Sequence, residues 1–235
     1  MRRSIRLDKE YIVHSYLTED ELAIKEFLAF NEVDDDDLEP FVDELLQKFV
    51  EEYDPEMDKI KKIVLLWCIR ILTLGDEIEV NFKCKKCGNV QDTTISLANL
   101  LRFPEIDSDE VPTKFVDSSE PIEISDEFYD EMDIDDFEFY AKNLYSYYIV
   151  YNTKIHFNCY YCNEDHFTNL MSFKKVLQFM SEDSYETLTE WLHVLVYFGH
   201  LTRNDVLKMT PVQRMLEIKY FQETKKKELG DQNGN

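Results

Sequence analysis

The chain has 235 residues, a formal net charge of −23 at neutral pH and a hydrophobic fraction of 44%. That length buries a sizeable core and that apolar fraction is ordinary for a globular protein, which argues against wholesale disorder. The charge repels phosphate backbones, so direct nucleic-acid binding is disfavoured; it attracts basic partners, or simply confers solubility.

Sixteen Phe and fourteen Tyr stand beside five Gly and six Pro, so tight turns are scarce and long regular elements are favoured. Residues 1–17 read as an extended arm anchored by Tyr11, Ile12, Val13 and Tyr16. Thr18 followed by Glu21 is a capping-box pattern and predicts a helix to about Phe30. The run Asp34 to Asp37 is a solvated acidic turn that suits the positive end of a next helix, about Leu38 to Tyr53, burying Phe41, Leu45 and Phe49. Asp54-Pro55-Glu56 predicts another helix start. Ile60, Ile63, Val64, Trp67 and Ile71 recur on one face of that helix, which Gly75 ends. Cys68 lies inside it with no second ligand one turn away, so it reads as a buried free thiol.

Residues 77–83 alternate polar and apolar and predict a half-buried strand; Val90 to Leu97 predicts its partner, with a cysteine pair in the turn. From Glu105 to Glu138 the chain is densely acidic, with Lys114 the opposing charge. Phe115, Val116, Ile122, Ile124 and Phe128 allow short strands there, and partial disorder is the alternative. A helical period resumes near Ile134 and aligns Phe137, Tyr140, Ala141, Leu144, Tyr148 and Tyr151. Those tyrosines suit either a contact surface or core packing. Residues 154–158 predict a strand into a second cysteine pair. The remainder reads as helical: Ser172 to about Met180, Ser184 to Phe198 ended by Gly199, a short helix capped by Thr202, and a last one opened by Thr210-Pro211. Residues from Gly230 read as a disordered tail.

The two cysteine segments are similar. Phe82-Lys83-Cys84-Lys85-Lys86-Cys87-Gly88 and Phe157-Asn158-Cys159-Tyr160-Tyr161-Cys162-Asn163 each place a CxxC pair after a strand, then Gly or Asn. Two sulfurs at that spacing reach one tetrahedral ion, at roughly 2.3 Å each, only if the chain turns tightly. Gly and Asn tolerate the positive φ that such a turn needs. No stretch has the roughly 20 apolar residues of a membrane span, and the start lacks a signal-peptide apolar run. The expectation is therefore a cytosolic protein with reduced thiols, where paired cysteines bind metal rather than form disulfides.

The predicted fold class is α+β, mostly helical, with a small zinc-ribbon-like β element carrying the two knuckles. Cys84, Cys87, Cys159 and Cys162 are the predicted ligands of one structural Zn2+; four thiolates close its shell and leave no position for catalysis. The long spacer between the pairs reads as an insertion. A separate site of Cys159, Cys162 and His166 would strand Cys84 and Cys87, and a dithiol redox role lacks its βα context. The predicted divisions are an N-terminal arm and helical region (1–75), the ribbon-like element with its acidic insert of about 105–138 and its Tyr-rich helix (76–170), a C-terminal helical region (171–229) and the tail (230–235).

Catalytic patterns are missing. The five histidines are scattered, Asp and Glu are too abundant for any pair to be diagnostic, and no phosphate-cradling Gly-rich loop or Gly-x-Ser-x-Gly elbow occurs. An enzyme is not expected.

Three segments together resemble the baseplate family of T-even-like bacteriophages, which includes hub and hub-assembly proteins. They are Ile69 to Ile78 running into the Cys84–Gly88 knuckle, the knuckle at Cys159 and Cys162, and Leu201 to Pro211 continuing Val212-Gln213-Arg214. The chain departs from the family pattern at Val212-Gln213 and by its acidic insert. The resemblance implies a non-enzymatic role in baseplate hub formation, as an assembly chaperone or a hub subunit. Other phage tail or baseplate hub proteins would be its partners, in the host cytoplasm during assembly and, for a subunit, in the virion. A zinc-ribbon regulator that binds transcription machinery or mimics DNA is the alternative from another class.

Overall fold

In the computed structural model, residues 1–7, 9–97, 100–102, 115–117 and 149–232 are described. Strands β1 (Arg2–Arg6) and β2 (Glu10–His14) form an antiparallel hairpin, so the predicted arm is folded back on itself. Its alternation buries Tyr11 and Val13 beneath the next helices, with Tyr16 following.

Helix α1 (Thr18–Phe30) starts where predicted, by a different cap. Asp20, not Glu21, accepts from the Leu17 backbone amide, at 2.8 Å. Thr18 and Glu21 serve tertiary contacts instead: both the amide and the hydroxyl of Thr18 donate to the Met209 carbonyl. A 3-10 turn (Asp36–Leu38) leads into α2 (Glu39–Phe49), which buries Val42, Leu45, Leu46 and Phe49. It ends short of Tyr53 because Val50 turns into an isolated bridge with Val13. Phe41 is half-buried, stacked on Phe27 with ring centroids 4.1 Å apart.

The third helix begins later than Asp54-Pro55 implies. Those residues make a turn, and Asp58 caps α3 (Lys59–Leu74) by accepting from the Ile60 amide at 2.7 Å. Helix α3 is the centre of the molecule: Ile63 through Trp67 are all buried. Gly75 ends it at φ +99°, a conformation that costs glycine little.

Strands β3 (Glu77–Lys83) and β4 (Val90–Ser96) pair antiparallel. Three short strands follow: β5 (Leu101–Arg102), β6 (Phe115–Asp117) and β7 (Ile149–Tyr151). Strand β7 lies between the other two, antiparallel to β5 and parallel to β6. Tyr151 is thus in a strand, not in the helix predicted through it; the rest of that helix and most of the acidic region lie outside the described residues. Strands β8 (Lys154–Asn158) and β9 (Asp165–Asn169) form another antiparallel hairpin.

Helices α4 (Phe173–Phe179), α5 (Tyr185–Tyr197) and α6 (Arg203–Leu207) are capped by Ser172, Ser184 and Thr202, each side chain accepting from a first-turn amide as predicted. Helix α7 (Pro211–Gln232) runs through Gly230, where the sequence suggests a disordered tail. One apolar core joins the hairpin β1–β2, α1 to α4 and the inner faces of β3, β4 and β8. A smaller cluster of Leu192, Leu195, Val206 and Ile218 packs α5, α6 and α7 together.

Two side chains of α3 set the positions of the hairpins. The buried guanidinium of Arg70 donates to the carbonyls of Gly75, Glu77 (2.8 Å) and Phe179 (3.2 Å), fixing the entry to β3 against the end of α4. The buried indole of Trp67 donates to the Leu170 carbonyl at 3.0 Å, fixing the exit from β9. Hairpins far apart in sequence therefore hang side by side from one helix.

Candidate metal centre

Both knuckles fold by the same local rule. In the first, the Cys84 amide donates to the Asn89 carbonyl and the Gly88 amide to the Cys84 carbonyl, each at 2.9 Å. In the second, the Cys159 amide donates to the Glu164 carbonyl at 2.8 Å and the Asn163 amide to the Cys159 carbonyl at 2.9 Å. Gly88 has φ +75° and Asn163 φ +54°, so the residue after each pair takes the left-handed conformation its type tolerates.

The knuckles face each other. Cys84 Sγ lies 3.6 Å from Cys162 Sγ, and Cys87 Sγ 3.7 Å from Cys159 Sγ. All four sulfurs fall within 4.8 Å of one another. Four ligands at roughly 2.3 Å around a tetrahedral ion would be separated by about 3.8 Å, so the cluster has the dimensions to hold one. Cys84 and Cys159 are buried, while Cys87 is exposed.

The surroundings of the sulfurs bias their protonation. The Cys87 backbone amide, donating at 3.5 Å, holds the Cys84 thiol down to about 5 against burial, with help from His166. Burial disfavours ionising Cys159, but the backbone amides of Cys162 and Tyr161 lower it overall. At Cys162 the Glu164 amide favours the thiolate, yet burial and the sulfurs of Cys84, Cys159 and Cys87 outweigh it and push the thiol up to about 12. Sulfurs this close titrate as one system and cannot all carry charge without a cation among them.

Five residues around the cluster have no cysteine signature. Asn89 Nδ2 donates to Cys87 Sγ at 3.5 Å, and His166 Nε2 sits 3.4 Å from Cys84 Sγ, its ring packed against those of Phe82 and Phe157, which also touch each other. His166 therefore adjoins the first pair rather than building a separate site with the second. Lys86 and Glu164 form a 2.8 Å ion pair across the two knuckle tips. Gln91 is buried on the inward face of β4, and its Oε1 accepts from the Tyr160 amide at 3.1 Å. A polar residue at an inward strand position is the signal that would have found it. Cys68 stands apart in α3, its thiol pushed up to about 12 by burial.

Fold and cluster define an α+β protein of helices and small, mainly antiparallel sheets, with four cysteines placed to hold a metal ion. Residues 9–124 match the family model described as T4 bacteriophage base plate protein, and over those residues the chain is similar to that family. No curated protein and no solved structure matches the chain. Of the three segments carrying the resemblance, Ile69 to Gly88 lies inside the matched span, and the second knuckle and the Leu201 to Arg214 segment lie beyond it. The match also takes in residues 9–59, which the resemblance did not use. Among the described residues, no helix is long and apolar enough to cross a membrane.

Proposed function

We propose that this is a non-enzymatic phage tail protein acting in baseplate hub formation, as an assembly chaperone or a hub subunit. In this reading Cys84, Cys87, Cys159 and Cys162 hold a structural Zn2+ that completes a zinc-ribbon-like element. The family match over residues 9–124 is the observation that carries the role. The metal reading is supported by the sulfur spacing and by the amides that favour thiolate.

Four thiolates would fill a tetrahedral shell, so the ion would act on stability and not on a substrate. The excess of negative charge suits a protein that shields or positions a more basic tail component until it is built in. Its partners are then other tail or baseplate hub proteins, met in the host cytoplasm. Neither nucleic acid nor membrane is a partner.

Mass spectrometry of purified virions and of assembly intermediates tests this. Presence in virions makes it a subunit; presence in intermediates alone makes it a chaperone. Recovery with RNA polymerase or a DNA-binding protein, and not with tail proteins, would replace this reading with the acidic regulator.

A further inference from the structure

Among the described residues, two buried side-chain nitrogens have no hydrogen-bond partner, Arg214 Nε and Gln91 Nε2. Arg214 Nε belongs to a guanidinium that Glu21 and Asp183 already hold. Gln91 has no such compensation, and a buried amide donor left unpaired is destabilising.

Gln91 stands on β4 opposite Phe82 of β3 and is 8% exposed. Its side chain leaves the first hairpin and meets the second knuckle. Oε1 accepts from the Tyr160 amide at 3.1 Å, and the Cys159 thiol donates to the same oxygen at 3.8 Å. The thiol contact exists only while Cys159 keeps its proton. A metal ligand must be thiolate, so an ion leaves this sulfur as an acceptor. An oxygen is then the wrong partner for it, and the idle N–H of the same carboxamide is the right one. The Tyr160 amide and the Cys159 sulfur are neighbours along the chain, so one carboxamide can accept from the first and donate to the second. The first knuckle already shows a carboxamide in this role: Asn89 Nδ2 donates to Cys87 Sγ at 3.5 Å. Asn89 is exposed, whereas Gln91 and Cys159 are both buried, where a hydrogen bond to an anion is less screened.

We infer that Gln91 is a positioning residue of the metal centre: when the ion binds, its Nε2 donates to the Cys159 thiolate while its Oε1 stays on the Tyr160 amide. The residue ties the two hairpins together at the sulfurs, orients Cys159 and eases the negative charge that four thiolates carry beyond one divalent ion. The inference rests on the metal reading of the four cysteines and adds an outer partner to it.

The test loads the purified, isotope-labelled full chain with NMR-active cadmium. Expected is a scalar coupling between cadmium and a side-chain amide proton of Gln91, carried through the N–H···S bond, with that proton displaced downfield from its position in the metal-free chain. Gln91→Met, which keeps the length and loses the carboxamide, should bind zinc on the order of tenfold more weakly in competition with a chromogenic chelator. A merely structural role would lower stability without producing the coupling. Uncoupled Gln91 protons in a metal-loaded chain therefore overturn the inference, even where Gln91→Met fails to fold. So does unchanged zinc affinity in a folded Gln91→Met. A parent chain that takes up no ion overturns the metal reading together with this inference, whereas one that binds cadmium with Gln91 uncoupled overturns this inference alone.

Discussion

Arg214 in α7 and Glu21 in α1, 193 positions apart, form a doubly hydrogen-bonded ion pair with both side chains 2% exposed or less. Arg214 also reaches Asp183 at 3.3 Å, so one guanidinium ties α1, α7 and the loop before α5 together. Burying these charges is costly, and the pair is tolerated because each group answers the other. The pair does for the helices what the cysteines do for the hairpins: it joins distant stretches of chain.

Removing one partner should therefore hurt more than removing both. Glu21→Gln leaves the buried guanidinium with only the part-exposed Asp183 as charge partner and should cost about 3 kcal/mol, whereas Glu21→Leu with Arg214→Met should cost much less. Urea denaturation of Glu21→Leu, Arg214→Met and the double variant gives the coupling. A double loss equal to the sum of the two single losses would show that the pair is not coupled.

Arg70 supports a second expectation, about the hairpins. Arg70→Met leaves the carbonyls of Gly75, Glu77 and Phe179 without their donor. A loss of about 2–3 kcal/mol follows from a buried charged donor and three part-buried hydrogen bonds. Because the same contacts hold β3 in place, the variant should also bind zinc more weakly, read by competition with a chromogenic chelator. Unchanged metal affinity would mean that the knuckles align without this anchor.

Much of this was legible in the sequence because it is local. Strand β3, the caps Ser172, Ser184 and Thr202, and the positive-φ residues Gly88 and Asn163 are dictated by residues within one turn. Failures arose where a distant partner decided. Glu21 looked like a capping residue and is an ion-pair partner of Arg214. Asp54-Pro55 looked like a helix start, but Asp58 supplies the cap. Strand β9 was missed because Asp165 to Asn169 hold a single apolar residue, Phe167, and the strand is fixed by pairing with β8. The four cysteines could be paired by chemistry alone; Gln91 and Lys86 beside them could not.

Tyr16 gives a prediction in pH. Its hydroxyl donates to the Met180 carbonyl inside the core, and burial, reinforced by Glu21, raises its pKa well above the usual value. The folded state thus keeps a proton that the unfolded chain releases near pH 10, so this contribution is present below pH about 10 and lost as pH climbs towards the folded value. Tyr53 is raised in the same direction by burial and Asp43, and acts in the same window. Tyr16→Phe should cost about 1–3 kcal/mol at neutral pH and flatten the alkaline fall in stability, measured by urea midpoints across that range. An unchanged alkaline slope would remove Tyr16 from the account.

Metal removal tests the cluster most directly. A divalent ion would favour the thiolate form of all four sulfurs and offset two of their four charges; without it, burial and the neighbouring sulfurs keep Cys162 protonated. Purified protein should carry one zinc per chain, and a chelator should lower the melting temperature and expose four thiols to a thiol reagent. Cys159→Ser should lose the metal, because a hydroxyl is a poor replacement for thiolate, while Cys68→Ser should retain it, since Cys68 lies outside the cluster. Acid should release the ion by protonating its thiolate ligands. Cobalt substitution gives an independent readout: sulfur-to-metal charge-transfer absorption should appear in the parent and in Cys68→Ser and vanish in Cys159→Ser. A metal-free preparation that melts no lower than a zinc-loaded one would show that the four sulfurs meet without holding an ion.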